Sequence, residues 1–148
     1  MNPVFIFITI AGYIIGLGAV TVIDLHGFLG RTSKYWTEAT TRTHKITKPM
    51  IWVGTLLAFT GGLLFYYSEY LEGLFKLHIF IFVILALNGL FLSFVISPLL
   101  LRREKEGKQS EILSPSWQRK IIVSFIISFT GWWGSLLLFV LALASFNV

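Results

Sequence analysis

The ionisable side chains that stand closest to long apolar sequence are Asp24, His26, His44 and His78. Two histidines at one depth on neighbouring helices would suit haem or a metal centre, because neutral imidazole nitrogens ligate both. On that ground His26 and His44 are the candidate cofactor residues, and haem is the group they would hold. Their register argues the other way. If the chain reverses near Gly30 to Ser33, His26 lies roughly 6 Å and His44 roughly 16 Å from the turn at ~1.5 Å per residue. No cofactor and no metal are therefore predicted. His78, close to Lys76, reads as a histidine at the opposite interface. On a helix Asp24 points about 200° away from His26, so the two do not share an ion. The Asp24 carboxylate is expected to pair with Lys45 or Lys48.

Other chemistry is thinly represented. The chain has no cysteine, which excludes disulfides, thiolate metal ligands and a cysteine nucleophile. Hydrolase and zinc-protease patterns such as GxSxG and HExxH are absent, as are phosphate-binding glycine patterns. The Gly61–Gly62 pair and Pro98 are weak helix-breaking signals of the kind a solute or ion pathway uses. Asn88 sits near the middle of an apolar run, where an amide facing hydrocarbon would be costly. It is expected in the bundle interior with Asp24, bonded to Ser128, Thr130, Ser135, Trp132 or Trp133.

Four uncharged runs must position these residues. They end at Ile23 and then cover residues 50–68, 77–101 and 121–148, and each is long enough for a helix through ~30 Å of hydrocarbon. With 55% hydrophobic and 13% charged residues and a mean hydropathy of +0.79, the composition is that of a membrane protein. The spectrum of elements predicts an all-α fold: a transmembrane four-helix up-down bundle in one domain, with spans at about 3–23, 50–68, 77–101 and 120–145. The first span, with no basic residues ahead of it, reads as a retained helix rather than a cleaved leader.

Orientation follows from the cations. Arg31, Lys34, Arg42, Lys45 and Lys48 lie in the first connection; Arg102, Arg103, Lys105, Lys108, Arg119 and Lys120 lie in the third. Cation-rich connections stay cytoplasmic, which places the chain N-out and C-out in the inner or plasma membrane. Trp36, Trp52 and Trp117 then mark the inner interface, and Tyr66, Tyr67 and Tyr70 the outer one. The net charge of +5 meets lipid headgroups, not nucleic acid. Between Arg31 and Lys48 the sequence predicts an amphipathic cytoplasmic extension before helix 2. Ser33 caps it, Lys34, Glu38 and Arg42 form its polar face, and Trp36, Ala39, Thr43, Ile46 and Met50 form its apolar stripe. A bend is expected near Pro49, and a kink at Pro98.

Small residues recur at spacings of three and four and predict where the helices touch. The stripes are Thr9, Gly12, Gly16 and Ala19; Gly54, Ala58 and Gly61; Ala86, Gly89, Ser93 and Ser97; and Ser124, Ser128, Gly131 and Ser135, continued by Ala142 and Ser145. They can all be used within one monomer.

The stretch Gly16–Leu17–Gly18–Ala19, Thr21–Val22–Ile23–Asp24 and Ile51–Trp52–Val53–Gly54 resembles a group of small bacterial four-helix integral membrane proteins. The resemblance covers about the first 65 residues; it implies the four-span topology and a role for Asp24, without an activity. In size and helix count the chain is also similar to the HemJ-type protoporphyrinogen oxidases and to the copper-resistance D membrane domain. Those families carry a histidine within the first helix, where this chain has none before His26. With no catalytic motif, the expected function is a non-enzymatic accessory subunit or scaffold, whose partners are the lipid bilayer and other membrane protein subunits. The alternatives are a haem- or quinone-linked redox protein and a small transporter or channel.

Overall fold

The computed structural model describes residues 2–68 and 72–145. Helix α1 spans Pro3–Leu29, α2 Lys34–Ser68, α3 Glu72–Phe91, α4 Ser97–Lys105 and α5 Pro115–Ala144. A π-helical segment, Leu92–Ile96, joins α3 to α4 without a break, so the described residues make four long helices. Each is long and apolar enough to cross a membrane, and no strand occurs among the described residues. Tyr70 and residues 146–148 lie outside the described residues.

Local chemistry sets the helix ends. The Asn2 side chain accepts from the Val4 amide at 2.9 Å, and Pro3 occupies a first-turn position that needs no donor. Ser33 caps α2, taking the Trp36 amide at 3.5 Å. Gly107, at φ 71°, stops α4, and the Lys108 amide returns to the Arg103 carbonyl at 2.8 Å. Beside it, hydrogen bonds from Arg102 and Lys108 hold the Glu106 carboxyl below its ordinary range. Pro115 opens α5 after Ser114. One turn on, Gln118 donates to the Leu113 carbonyl at 2.8 Å and the Arg31 carbonyl at 3.3 Å, tying the two basic connections together.

Helices α1 and α2 approach closely enough for backbone to touch backbone, with residues paired in opposite chain directions. A Cβ added at Gly12 would meet Ala58 and Gly54; one at Gly54 would meet Gly16 and Gly12; one at Gly61 would meet the Thr9 amide nitrogen at 2.6 Å. Glycine is required at each. Gly16 faces two helices, since a Cβ there would meet the Trp132 ring of α5 first and then Gly54 Cα at 3.2 Å. The α3–α5 contact runs through side chains: at Gly131 an added Cβ would meet Leu85 Cδ2 at 2.7 Å. At Gly89 it would meet only the Trp52 ring at 3.5 Å, an ordinary contact, so this predicted packing glycine is not sterically demanded.

The first part of α2 packs a threonine-rich face against the rest of the molecule and leaves Ile46 and Met50 of its apolar stripe outward. Ile46 is 66% and Met50 40% exposed, whereas Thr37, Thr41, His44 and Thr47 are buried against the rest of the molecule. Threonine can do this because its hydroxyl bonds back to its own helix and leaves the methyl for packing. Thr41 donates to Thr37 O at 3.2 Å, Thr47 to Thr43 O at 3.1 Å, and Thr37 reaches Gly30 O at 2.7 Å. The polar face is as read, with Arg42 on Glu38 at 2.6 Å. No break appears at Pro49, which lies inside a continuous α2. The disturbance near Pro98 is the π segment before it. Proline supplies no N–H to the preceding turn, and the Ser93 carbonyl there takes the Lys48 ammonium instead, at 3.4 Å.

Candidate functional site

Two buried polar groupings lie along the interior. The first, towards the N-terminal end of α1, centres on His78, which is only 3% exposed. Its Nδ1 lies 2.7 Å from the Tyr66 hydroxyl, and its Nε2 lies 2.8 Å from the Tyr13 hydroxyl and 2.5 Å from Ser135 Oγ. Tyr13 and Ser135 are themselves 2.6 Å apart. One imidazole therefore ties together α1, α2, α3 and α5. A neutral ring offers one donor and one acceptor, and the three hydroxyls supply the complements. Phe82 stacks on the ring at 5.2 Å, and Tyr13 packs edge-on to Trp132 at 6.2 Å.

The sequence reading did not bring these residues together. α3 begins at Glu72, and His78, almost two turns along it, is enclosed by the neighbouring helices. Tyr66 belongs to the same interior grouping, while Tyr67 is 83% exposed. A helical spacing links His78 with Phe82, Leu85 and Gly89 on one face, and that spacing was the available signal.

The second grouping surrounds a partly open cavity of about 120 Å³ near the basic end of the helices. Ile51, Trp52, Leu92, Ile96, Leu100 and Phe125 make much of its wall, while Asp24, Arg31, His44 and Lys48 add titratable groups. Ser128 lies beside Asp24, whose Oδ2 is buried without a hydrogen-bond partner. The ion pair expected for Asp24 does not form. Lys45 instead binds Glu104 at 2.7 Å, and Lys48 turns to the Ser93 carbonyl and to Ser97 Oγ at 3.5 Å. The π segment contributes further to the wall through Ser93, whose hydroxyl accepts from the Trp52 indole at 3.1 Å.

His26 and His44 are not brought into one site. His26 packs on Trp36 with ring centres 5.0 Å apart, whereas His44 lines the cavity with its Nδ1 2.6 Å from Thr41 O. No group of three metal-ligating side chains occurs among the described residues. Of the predicted small-residue stripes, Thr9, Gly12, Gly16 and Ala19 and Gly54, Ala58 and Gly61 are buried throughout; in the fourth Ser124, Ser128, Ser135 and Ala142 are buried, Gly131 is half-buried and Ser145 exposed; in the third only Ser97 is buried, with Ala86, Gly89 and Ser93 half-buried.

Asn88 bridges α3 to α5 as a reciprocal pair. Its Nδ2 donates to the Ser124 carbonyl at 3.2 Å, and Ser124 Oγ donates to Asn88 Oδ1 at 2.8 Å. The amide faces inward as expected, with Ser124 as a partner the sequence did not single out. Asn88→Leu is expected to cost about 1–2 kcal/mol, in keeping with two hydrogen bonds in an apolar setting. Unfolding titrations in detergent check this, and unchanged stability would show that the amide does not hold α3 to α5.

Comparison of the chain with protein-family models, with curated proteins and with solved structures finds no match in any of the three.

Proposed function

We propose that this is a four-helix, up-down integral membrane protein, N-out and C-out, that binds an amphiphilic small molecule entering its cavity from the cytoplasmic leaflet. The observation that carries the reading is the cavity itself. Its walls are largely apolar, it lies at the cation-rich end, and Asp24, Arg31, His44 and Lys48 are among its lining residues. A site of this composition suits a ligand with an apolar body and a small polar head. The membrane setting is supported by four long apolar helices and by the two basic connections at one end. Labelling of residues 102–120 from outside intact cells would overturn the orientation.

Gly27 lines the cavity, and a Cβ added there would meet only Ile121 Cγ2, at 3.6 Å. Gly27→Leu is therefore expected to fill the space while sparing the helix contacts. Protein purified in mild detergent should carry an extractable amphiphile, and Gly27→Leu should lower its amount about tenfold or more, equivalent to ~1.4 kcal/mol of binding. Equal amounts on both proteins would refute a cavity ligand.

An accessory-subunit role remains the second reading, favoured by the poor burial of the third long helix. Its most apolar window is 17% buried within the molecule, against 39% for α1. Lipid or a partner subunit would cover that face, and a stoichiometric partner in native membrane extracts would support the latter.

A further inference from the structure

A groove separate from the cavity runs along the outward side of the α3–α5 contact. Its apolar lining is Ile84, Leu87 and Phe91 from α3, and Val123 and Ile127 from α5. Spacings of three and four put each set on one face of its helix. The contacts of His78 with Ser135 and of Asn88 with Ser124 pair rising against falling residue numbers, so Phe91 stands level with the start of α5. The apolar seam therefore runs for roughly 10 Å, at ~1.5 Å per residue, from the basic end towards mid-molecule.

Four polar residues complete the lining. Asn88 and Ser124 bond to each other. Arg119 and Lys120, both exposed, stand at the basic end of the seam. Lys120 Nζ lies 4.3 Å from the centre of the Trp117 ring, an amphipathic side chain of the kind that settles at headgroup depth. Elsewhere at this end Arg42, Lys45, Arg102, Arg103 and Lys108 each have a glutamate within 4.0 Å. Arg119 and Lys120 have no carboxylate partner among the described residues, and no acid lines the groove.

We propose that this groove binds an anionic phospholipid, its phosphate held by Arg119 and Lys120 and one acyl chain lying along Ile84, Leu87, Val123 and Ile127. The site goes beyond the cavity reading and shares only its membrane setting. Charge selects the head. A guanidinium matches two phosphate oxygens with paired N–H donors, and the neighbouring ammonium adds a further contact. A zwitterionic head would bring a cation to a place that already holds two and offers no acid. The uncharged seam selects a hydrocarbon tail, which a soluble phosphate lacks. An anionic lipid joins both chemistries in the order in which the groove presents them.

The test uses the full chain, stripped of lipid in detergent, and compares phosphatidylglycerol, phosphatidylethanolamine and phosphatidylcholine of identical acyl chains by native mass spectrometry. The glycerol lipid should be retained about tenfold or more over the other two, the scale of two basic side chains beside a headgroup. Arg119→Gln with Lys120→Gln should reduce that preference to about twofold or less. Arg102→Gln with Lys108→Gln removes the same charge at the same end, away from the groove, and should leave the preference intact. Equal retention of the three lipids, or an equal loss in both double variants, would overturn the proposal, the latter by assigning the effect to overall charge. All four substituted side chains are exposed, and lipid competition on the unmodified chain decides even where a variant fails to fold. A photo-crosslinking side chain at Leu87, 62% exposed, should capture phospholipid in native membranes; capture of a protein would give the groove to a partner subunit and refute the lipid site. Gly27→Leu separates this site from the cavity, since it should leave the preference for the glycerol lipid unchanged. A preference lost in Gly27→Leu and kept in the Arg119 and Lys120 variant would place the lipid in the cavity and sink the groove.

Discussion

Gly12→Val is expected to destabilise the protein by more than about 3 kcal/mol, enough to eliminate much of the folded population in detergent. A Cβ at position 12 would meet the Ala58 backbone nitrogen, Ala58 Cα at 2.7 Å and the Gly54 carbonyl oxygen at 2.8 Å. These are main-chain atoms of a helix, so no rotamer change relieves the collision, and α1 and α2 must separate along the contact. Separation opens the Gly16–Gly54 and Thr9–Gly61 approaches as well. In a chain whose helix association relies on close packing, losing that contact removes the main attraction between the two helices. Gly18 supplies the control, since an added Cβ there meets nothing within 4 Å. Gly18→Ala should leave the denaturant midpoint in detergent essentially unchanged or slightly raised, as expected for alanine replacing glycine in a helix. A Gly12→Val protein as stable as Gly18→Ala would contradict the α1–α2 geometry.

The second large effect is expected at His78. His78→Phe keeps a ring against Phe82 and removes every hydrogen bond the imidazole makes, leaving the Tyr66 hydroxyl without its His78 contact inside the molecule. An unsatisfied buried hydroxyl costs about 1–3 kcal/mol, and the further bonds lost to Tyr13 and Ser135 add about 0.6 kcal/mol each. The expected total is about 2–4 kcal/mol. His78→Ala adds a packing void to the same loss and should be worse. Tyr67→Phe, altering an exposed hydroxyl, should be neutral. Thermal unfolding of the four proteins in one detergent tests the ordering, and a neutral His78→Phe would show that the imidazole does not tie the helices together.

Much of the helix packing was legible because small residues announce it. Gly12, Gly16, Gly54, Ala58 and Gly61 repeat at intervals of three and four, and the helical period alone puts them on one face. Asn88 was legible for a related reason, since an amide in apolar sequence has few acceptable directions to point. What escaped had the opposite character. The buried face of early α2 is made of Thr37, Thr41, His44 and Thr47, none of which hydropathy marks for packing. The sequence does not reveal that threonine can satisfy its hydroxyl within its own helix and present only a methyl. His78 escaped because its distance from the helix end depends on α3 starting at Glu72, ahead of Lys76. The Asp24–Lys48 pairing failed for a different reason. Pro98 leaves a main-chain acceptor within reach of the lysine, and a competition of that kind is invisible in one dimension.

Main-chain contact between α1 and α2 also governs motion. Where Gly12, Gly54 and Gly61 meet the opposite backbone, no long side chain lies between the two helices, so rotamer changes cannot loosen them there. The third long helix is held instead by side chains, among them His78, Leu85 and Asn88, each of which a single substitution can release. The cavity spans both kinds of contact, with Asp24 on the glycine-packed side and Ser93 on the other.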